Sequence, residues 1–216
     1  MAAKVQTFAT DRLPDNFGQE GRVRFRRDFN WGWTARDRTN VEPGISVLPQ
    51  TSGFFCLIDD PRHNGSGVRK YGGADMSQFQ IVHGDGTVSY GHRGARLYWA
   101  DVVIPPGGKL QFHYIFLRGE WNSPFNAFAQ FLAVNANGTV VLKRTIAQTR
   151  ESAPMESGQF YRWRAYPPIE FTNGFSGALQ WVVTNGQRRN TGDPNVHPDT
   201  DLYPSALALD FISIIT

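Results

Sequence analysis

Apolar and polar residues alternate with a period of two along most of this chain, and the spacing of an amphipathic helix scarcely occurs. The densest run is "RVRFRRDFNWGWTARDR" at 22–38. There Val23, Phe25, Phe29, Trp31 and Trp33 fall on odd positions and Arg22, Arg24, Arg26 and Asp28 on even ones, with Arg27 the exception. A strand with that parity turns its rings to a core and its guanidinium groups outward. Further strands are predicted at 44–48, 53–58, 77–83, 87–91, 95–104 and 109–118, then at 126–134, 139–147, 159–166, 177–184 and 205–215.

Turn chemistry separates these runs. Asp85-Gly86, Asn137-Gly138, Asn173-Gly174 and Asn185-Gly186 supply the positive φ angles that tight hairpins need, and Pro105-Pro106-Gly107-Gly108 is a sharper break. Asn64 and Asn137 also begin Asn-x-Ser/Thr sequences, read here as turns. Strands at intervals of roughly 8–12 residues predict an all-β antiparallel sandwich with jelly-roll character. No internal repeat or second domain boundary is visible, so residues 1–20 are expected as an extended N-terminal arm and 21–216 as one sandwich domain. Two long connections, 59–76 and 185–204, are rich in Gly, Asn, Asp and Pro, and loops of that length are often functional or assembly elements.

Composition sharpens this picture in three places. Aromatics at 13%, with 22 Gly and 13 Pro in 216 residues, supply both core and turns and exclude a disordered chain. The formal net charge is +3, while 22–38 alone holds six arginines and two aspartates, +4, which leaves −1 for the rest. The basic excess is therefore local. Lysine occurs only at 4, 70, 109 and 143; such an arginine bias fits a contact-making surface, and a base-composition bias of the gene produces it equally well. Cys56 stands alone inside "FFCLI", so no intramolecular disulfide forms, and it reads as a buried small hydrophobe. No run is long enough to span a membrane, and residues 1–20 hold no apolar leader core; with Met1 present, export by a cleaved leader is not expected.

Reaction chemistry finds little support. His63, His83, His92, His113 and His197 are scattered, with no His-x-His, no HExxH and no cysteine pair. There is no GxSxG elbow and no phosphate-binding glycine loop. In "QIVH", Gln80 and His83 fall on opposite faces of a strand and cannot share a substrate. Catalysis is not expected. Asp59, Asp60, Asp193, Asp199 and Asp201 sit in acidic loops able to offer oxygen ligands to a structural calcium, against the plainer reading of solvated turn aspartates. Basic residues interleaved with aromatics resemble a single-strand nucleic-acid strip, but rings and guanidinium groups fall on opposite faces here, so nucleic acid is not expected. For a glycan, the candidate platform rings are Trp121, in a loop context, with Trp99 and Trp163; Trp31, Trp33 and Trp181 are expected in the core.

The closing segment, "GFSGALQWVVTNG…YPSALALDFISI", resembles the end of jelly-roll domains of the carbohydrate-binding-module type over about 40 residues. In that resemblance Asp210 takes the place of a final-strand aspartate that implies a calcium site, with Asp28 or Asp15 as its early-strand partner. The same architecture builds virus capsid and bacteriophage decoration, tail and fibre proteins. The sequence thus predicts a non-enzymatic structural component of a bacteriophage or virus particle, located in the virion. Arg22, Arg24, Arg26, Arg36 and Arg38 would contact other copies of the chain or other virion proteins. The alternative is a carbohydrate-binding module at an extracellular or cell-surface location. No cofactor is expected beyond a structural calcium at Asp210, Asp59 and Asp60.

Overall fold

The computed structural model describes residues 3–31, 45–50, 53–59, 73–117, 126–149, 162–189 and 205–216. Every regular element among them is a strand. The first eight are β1 (Ala3–Gln6), β2 (Phe17–Glu20), β3 (Arg22–Arg26), β4 (Phe29–Trp31), β5 (Ile45–Val47), β6 (Phe55–Asp59), β7 (Ala74–Asp75) and β8 (Gln80–Val82). They are followed by β9 (Val88–Ile104), β10 (Gly108–Leu117), β11 (Phe128–Asn135) and β12 (Val140–Gln148). The last are β13 (Arg164–Ala165), β14 (Ile169–Phe171), β15 (Phe175–Arg189) and β16 (Ala206–Ile215).

Two seven-stranded antiparallel sheets pack face to face as a jelly-roll-like sandwich. The first sheet runs β13-β10-β16-β6-β3, with β1 also on β16 and β14 also on β10. The second runs β12-β11-β15-β9-β2, with β7 and β8 also on β9. Between them lies an aromatic core. Trp181 is fully buried, 5.7 Å from the Phe112 ring and 5.6 Å from Phe131, and Phe17 stacks on Trp99 at 5.2 Å. Ring pairs offset or edge-on at these separations add about 0.5–1.5 kcal/mol each beyond area burial.

The extended arm expected at 1–20 is paired into the sandwich: β1 pairs with β16 and β2 with β9, so residues 3–20 contribute a strand to each sheet. Asn185-Gly186 is a correction: it lies inside β15 rather than at a hairpin. There the register with β9 shifts, Thr184 opposing Gly94 and Gly186 opposing Gly91. Side chains repair the ladder, with Arg93 N–H donating to Asn185 Oδ1 at 2.8 Å and Thr184 Oγ1 donating to the Arg93 carbonyl at 3.1 Å. That repair lets the segments expected as separate strands at 87–91 and 95–104 continue as one 17-residue strand. The other expected turns form with positive φ at Gly86, Gly107, Gly138 and Gly174.

Two further irregularities reverse strand parity. On β9 the buried residues are Ala95, Leu97 and Trp99, then Val102 and Ile104; Asp101, with φ 55°, takes up the extra residue. On β16 the residues facing the core between the sheets are Leu207 and Leu209, then Ile212 and Ile214, and Phe211, with φ 51°, does the same. These are β-bulges, in which one residue drops out of the pairing and the strand changes phase. Asp210 secures the second. Its carboxylate, fully buried, accepts the Phe211 N–H at 2.8 Å through Oδ1 and the Gln50 N–H at 3.0 Å through Oδ2.

Candidate functional site

Register alone assembles a row of side chains across the outer face of the second sheet. Lys143 on β12 opposes Leu132 on β11, Leu132 opposes Gln180 on β15, Gln180 opposes Tyr98 on β9, and Tyr98 opposes Gly18 on β2. A neighbouring row runs Thr145, Gln130, Val182, Arg96 and Glu20 across the same five strands. Four inter-strand spacings of about 4.8 Å make each row roughly 19 Å long. The inner residues between these, such as Leu97, Trp181 and Phe131, belong to the core, so alternation forces this set outward.

A cleft of about 350 Å³ opens on this face. Phe79, Leu132, Val134 and Val140 give it apolar walls, and Gln78, Arg96, Lys143 and Gln180 give it polar ones, with Gly138 at one side. Arg96 is held from both flanks: its guanidinium forms an ion pair with Glu20 through Nη2 and donates from Nη1 to Gln180 Oε1 at 3.1 Å. Arginine only donates, so the Gln180 oxygen must face it, leaving the Gln180 NH₂ to donate elsewhere. The Arg96 guanidinium also lies 5.8 Å from the Tyr98 ring centroid. Tyr98 is half-buried and lies down on the strand beside it, because position 18 has no side chain. A Cβ there would stand 2.1 Å from Tyr98 Cζ.

One rim of the cleft is a flap, residues 73–87, carried by β7 and β8. Its Met76, Phe79 and Ile81 pack on Phe128, Leu132 and Val182 of the outer face. The flap comes so close that Gly91 donates its N–H to the Phe79 carbonyl at 2.8 Å, and a Cβ at Gly91 would meet the Met76 carbonyl at 2.5 Å. Its turn is set by Asp75, whose carboxylate accepts the Ser77 N–H at 3.0 Å, a bond that holds its pKa below the ordinary carboxylate value. The Gln80 carbonyl is gripped from beneath by Gln130 Nε2 at 3.0 Å and by Lys143 Nζ at 3.4 Å. At the far end, His83 Nε2 and Ser89 Oγ are 2.7 Å apart, and Asn126 Nδ2 donates to Ser89 Oγ at 2.7 Å and to Gln148 Oε1 at 2.9 Å. All four residues are buried, so this network fastens the flap to β9 and to the end of β12.

The structure redistributes the residues singled out from sequence. Trp99 is 2% exposed, between the Phe17 ring and the Lys4 ammonium 4.8 Å from its centroid; as a glycan platform it is corrected to core. Trp163 is half-buried on the outer face of the first sheet. Its ring is edge-on to Phe55 and its indole N–H donates to the Leu48 carbonyl at 2.7 Å. That places it as a brace for the small sheet of β4 and β5, away from the cleft. Trp121, Trp33, Arg36, Arg38, Asp60, Asn64, His63, His197 and the aspartates at 193, 199 and 201 lie outside the described residues.

The parity of β3 is as read, with Val23 buried and Phe25 packed on the core. The free arginine face is a correction, however. Arg22 and Arg24 are half-buried and each is already engaged within the chain, so only Arg26 of the three is exposed. Asp59 ends β6 opposite Arg22 in the register. Asp210 has both carboxylate oxygens on backbone N–H groups, and among the described residues no three His, Cys, Asp or Glu side chains gather.

Sequence reasoning missed Tyr98, Gln180, Arg96 and Gly18. The signal was present in "ARLYWAD", where Arg96 and Tyr98 occupy the even face opposite Trp99, but the eye goes to the tryptophan.

The sequence matches no protein-family model and none of the curated proteins. Among solved structures, it is similar to the K1 cleaved adhesin domain of Lys-gingipain from Porphyromonas gingivalis W83. The two are 12% identical over 99% of this chain and 98% of that one, with a TM-score of 0.44. The catalytic domain of an endo-1,3-beta-glucanase (laminarinase) from Thermotoga petrophila RKU-1 is 11% identical over 99% and 96%, with a TM-score of 0.46. The enzymatically active domain of tailspike protein 4 of bacteriophage CBA120 is 9% identical over 92% of this chain and 19% of that one, with a TM-score of 0.36.

Proposed function

We propose that this protein binds carbohydrate on the outer face of its second sheet and acts by binding rather than by catalysis. The observation that carries the reading is the cleft itself, where planar polar groups of Arg96, Gln78 and Gln180 stand beside apolar walls; Tyr98 opposes Gln180 in the register and lies just beyond the cleft, over Gly18. A sugar ring presents hydroxyls at its rim and C–H groups on its faces. Amide and guanidinium groups answer the hydroxyls, and a ring or an aliphatic wall answers the C–H groups. Among the described residues no carboxylate, histidine, serine or cysteine lines the cleft, which supports a reading by binding.

The test is a glycan array followed by titration calorimetry. Gln180→Ala removes one donor and the clamp on Arg96. It is expected to weaken the best hit about tenfold, equivalent to about 1.4 kcal/mol, with the melting temperature little changed. An array without hits, using folded protein, would end the reading.

The reading as a structural component of a bacteriophage or virus particle keeps one specific observation. The strands at opposite sheet edges carry exposed contact groups, Arg26 on β3 and Val140 and Val141 on β12. Sheet edges of this kind are available for pairing with another chain. Light scattering on the eluted protein distinguishes the two: a symmetric oligomer supports assembly, and a monomer that binds glycan does not.

A further inference from the structure

Within the glycan reading, on which this step rests, we infer that the cleft selects an acidic glycan and that Lys143 is the group that meets its negative charge. Two cations line the cleft, Arg96 and Lys143. They are not equivalent. Arg96 is answered by Glu20 and fixed by Gln180, so it serves as scaffold and its charge is already balanced. Lys143 is exposed, and among the described residues the acceptor within reach of its ammonium is a neutral one, the Gln80 carbonyl at 3.4 Å. A carbonyl orients an ammonium without cancelling its charge, and an ammonium has three protons to donate. Since no carboxylate among the described residues lines the cleft, the described walls carry one positive charge beyond what Glu20 offsets.

Position reinforces this. Lys143 stands at one end of the row that continues through Leu132 and Gln180 to Tyr98. A sugar chain lying along the row would place hydroxyls at Gln180 and a ring face at Tyr98, with an anionic substituent at the β12 end. The next residue, Arg144, opposes Phe131, a core residue, so strand alternation sends its side chain away from this face. The extra charge in the cleft is thus that of Lys143. A lysine ammonium is a compact point charge without the planar fork of arginine, so carboxylate and sulfate ester are both suitable partners.

The experiment uses the full chain and titrates three oligosaccharides by calorimetry at low and high salt: an oligouronate, the same oligouronate methyl-esterified, and a sulfated neutral oligosaccharide. The acidic forms are expected to bind about fivefold tighter than the ester at low salt, and the difference should shrink at high salt. Lys143→Gln should erase the difference, Lys143→Arg should keep most of it, and Arg144→Gln should leave it in place. The two anionic ligands identify whether carboxylate or sulfate is the better partner. Equal binding of acid and ester overturns the charge assignment while the glycan reading stands. Retention of the preference in Lys143→Gln, or its equal loss in Arg144→Gln, overturns the role of Lys143. Absence of binding by these and by neutral oligosaccharides alike overturns both.

Discussion

Replacing Trp181 by alanine is expected to lower the unfolding free energy by about 3–5 kcal/mol, the usual cost of deleting a fully buried large aromatic. For a chain of this size that corresponds to a fall of roughly 6–20 °C in melting temperature. The reason is location. Trp181 is on β15, the middle strand of the second sheet, and its ring meets Phe131 on the neighbouring β11 and Phe112 on the opposite sheet. Removing it opens a cavity where the two layers touch. Trp181→Phe is expected to cost less than half as much. It keeps a ring among these partners, and the buried indole N–H has no acceptor among the described residues, so losing it costs nothing in hydrogen bonding. Urea denaturation of both variants checks the ranking. A phenylalanine variant as damaged as the alanine one would mean that the indole nitrogen holds a bond of its own.

Gly18→Ala makes the opposite prediction: a large loss of binding with little loss of stability. The added methyl would collide with the tip of Tyr98, 2.1 Å from Cζ and 2.2 Å from the hydroxyl oxygen. Tyr98 is half-buried on the outer face and can swing out by a rotamer change, which costs on the order of 1 kcal/mol or less. Affinity for the glycan is expected to fall about tenfold or more, since the platform leaves the row, while the melting curve shifts by only a few degrees. Tyr98→Ala should reproduce the loss of affinity, and the double variant should add almost nothing, because both changes remove the same surface. Additive losses in the double variant would show that Gly18 matters for another reason.

The sandwich was legible because alternation is a local property. At β3 the odd residues Val23 and Phe25 went inward as their parity required, and the final strand could be recognised from "SALALDFISII". What local pattern could not supply was how a ladder survives a glycine. Gly91 and Gly94 read as a break between two strands, yet the side chains of Thr184 and Asn185 bridge the irregularity from the facing strand. The cleft was illegible for a related reason. It takes residues from β12, β11, β15 and β9, neighbours in an order set by tertiary pairing. Attention to tryptophan also misled, since in this fold Trp99 and Trp163 brace the interior and the outer layer, and the flat ring on the surface is a tyrosine licensed by a glycine 80 residues earlier.

The bulges at Asp101 and Phe211 have a consequence for how this chain tolerates change in length. A residue inserted into an ordinary strand would exchange its buried and solvent faces from that point on. At these two positions the exchange has already been absorbed, by one residue stepping out of the ladder with a positive φ. Deleting Phe211 would therefore do more than remove a ring from beside His113: it would set Leu207 and Leu209 out of step with Ile212 and Ile214, so that both pairs could no longer reach the core from one continuous strand. Strands β9 and β16 are each two half-strands of opposite phase spliced at a single residue, and the splice, rather than the strand, is where the chain counts.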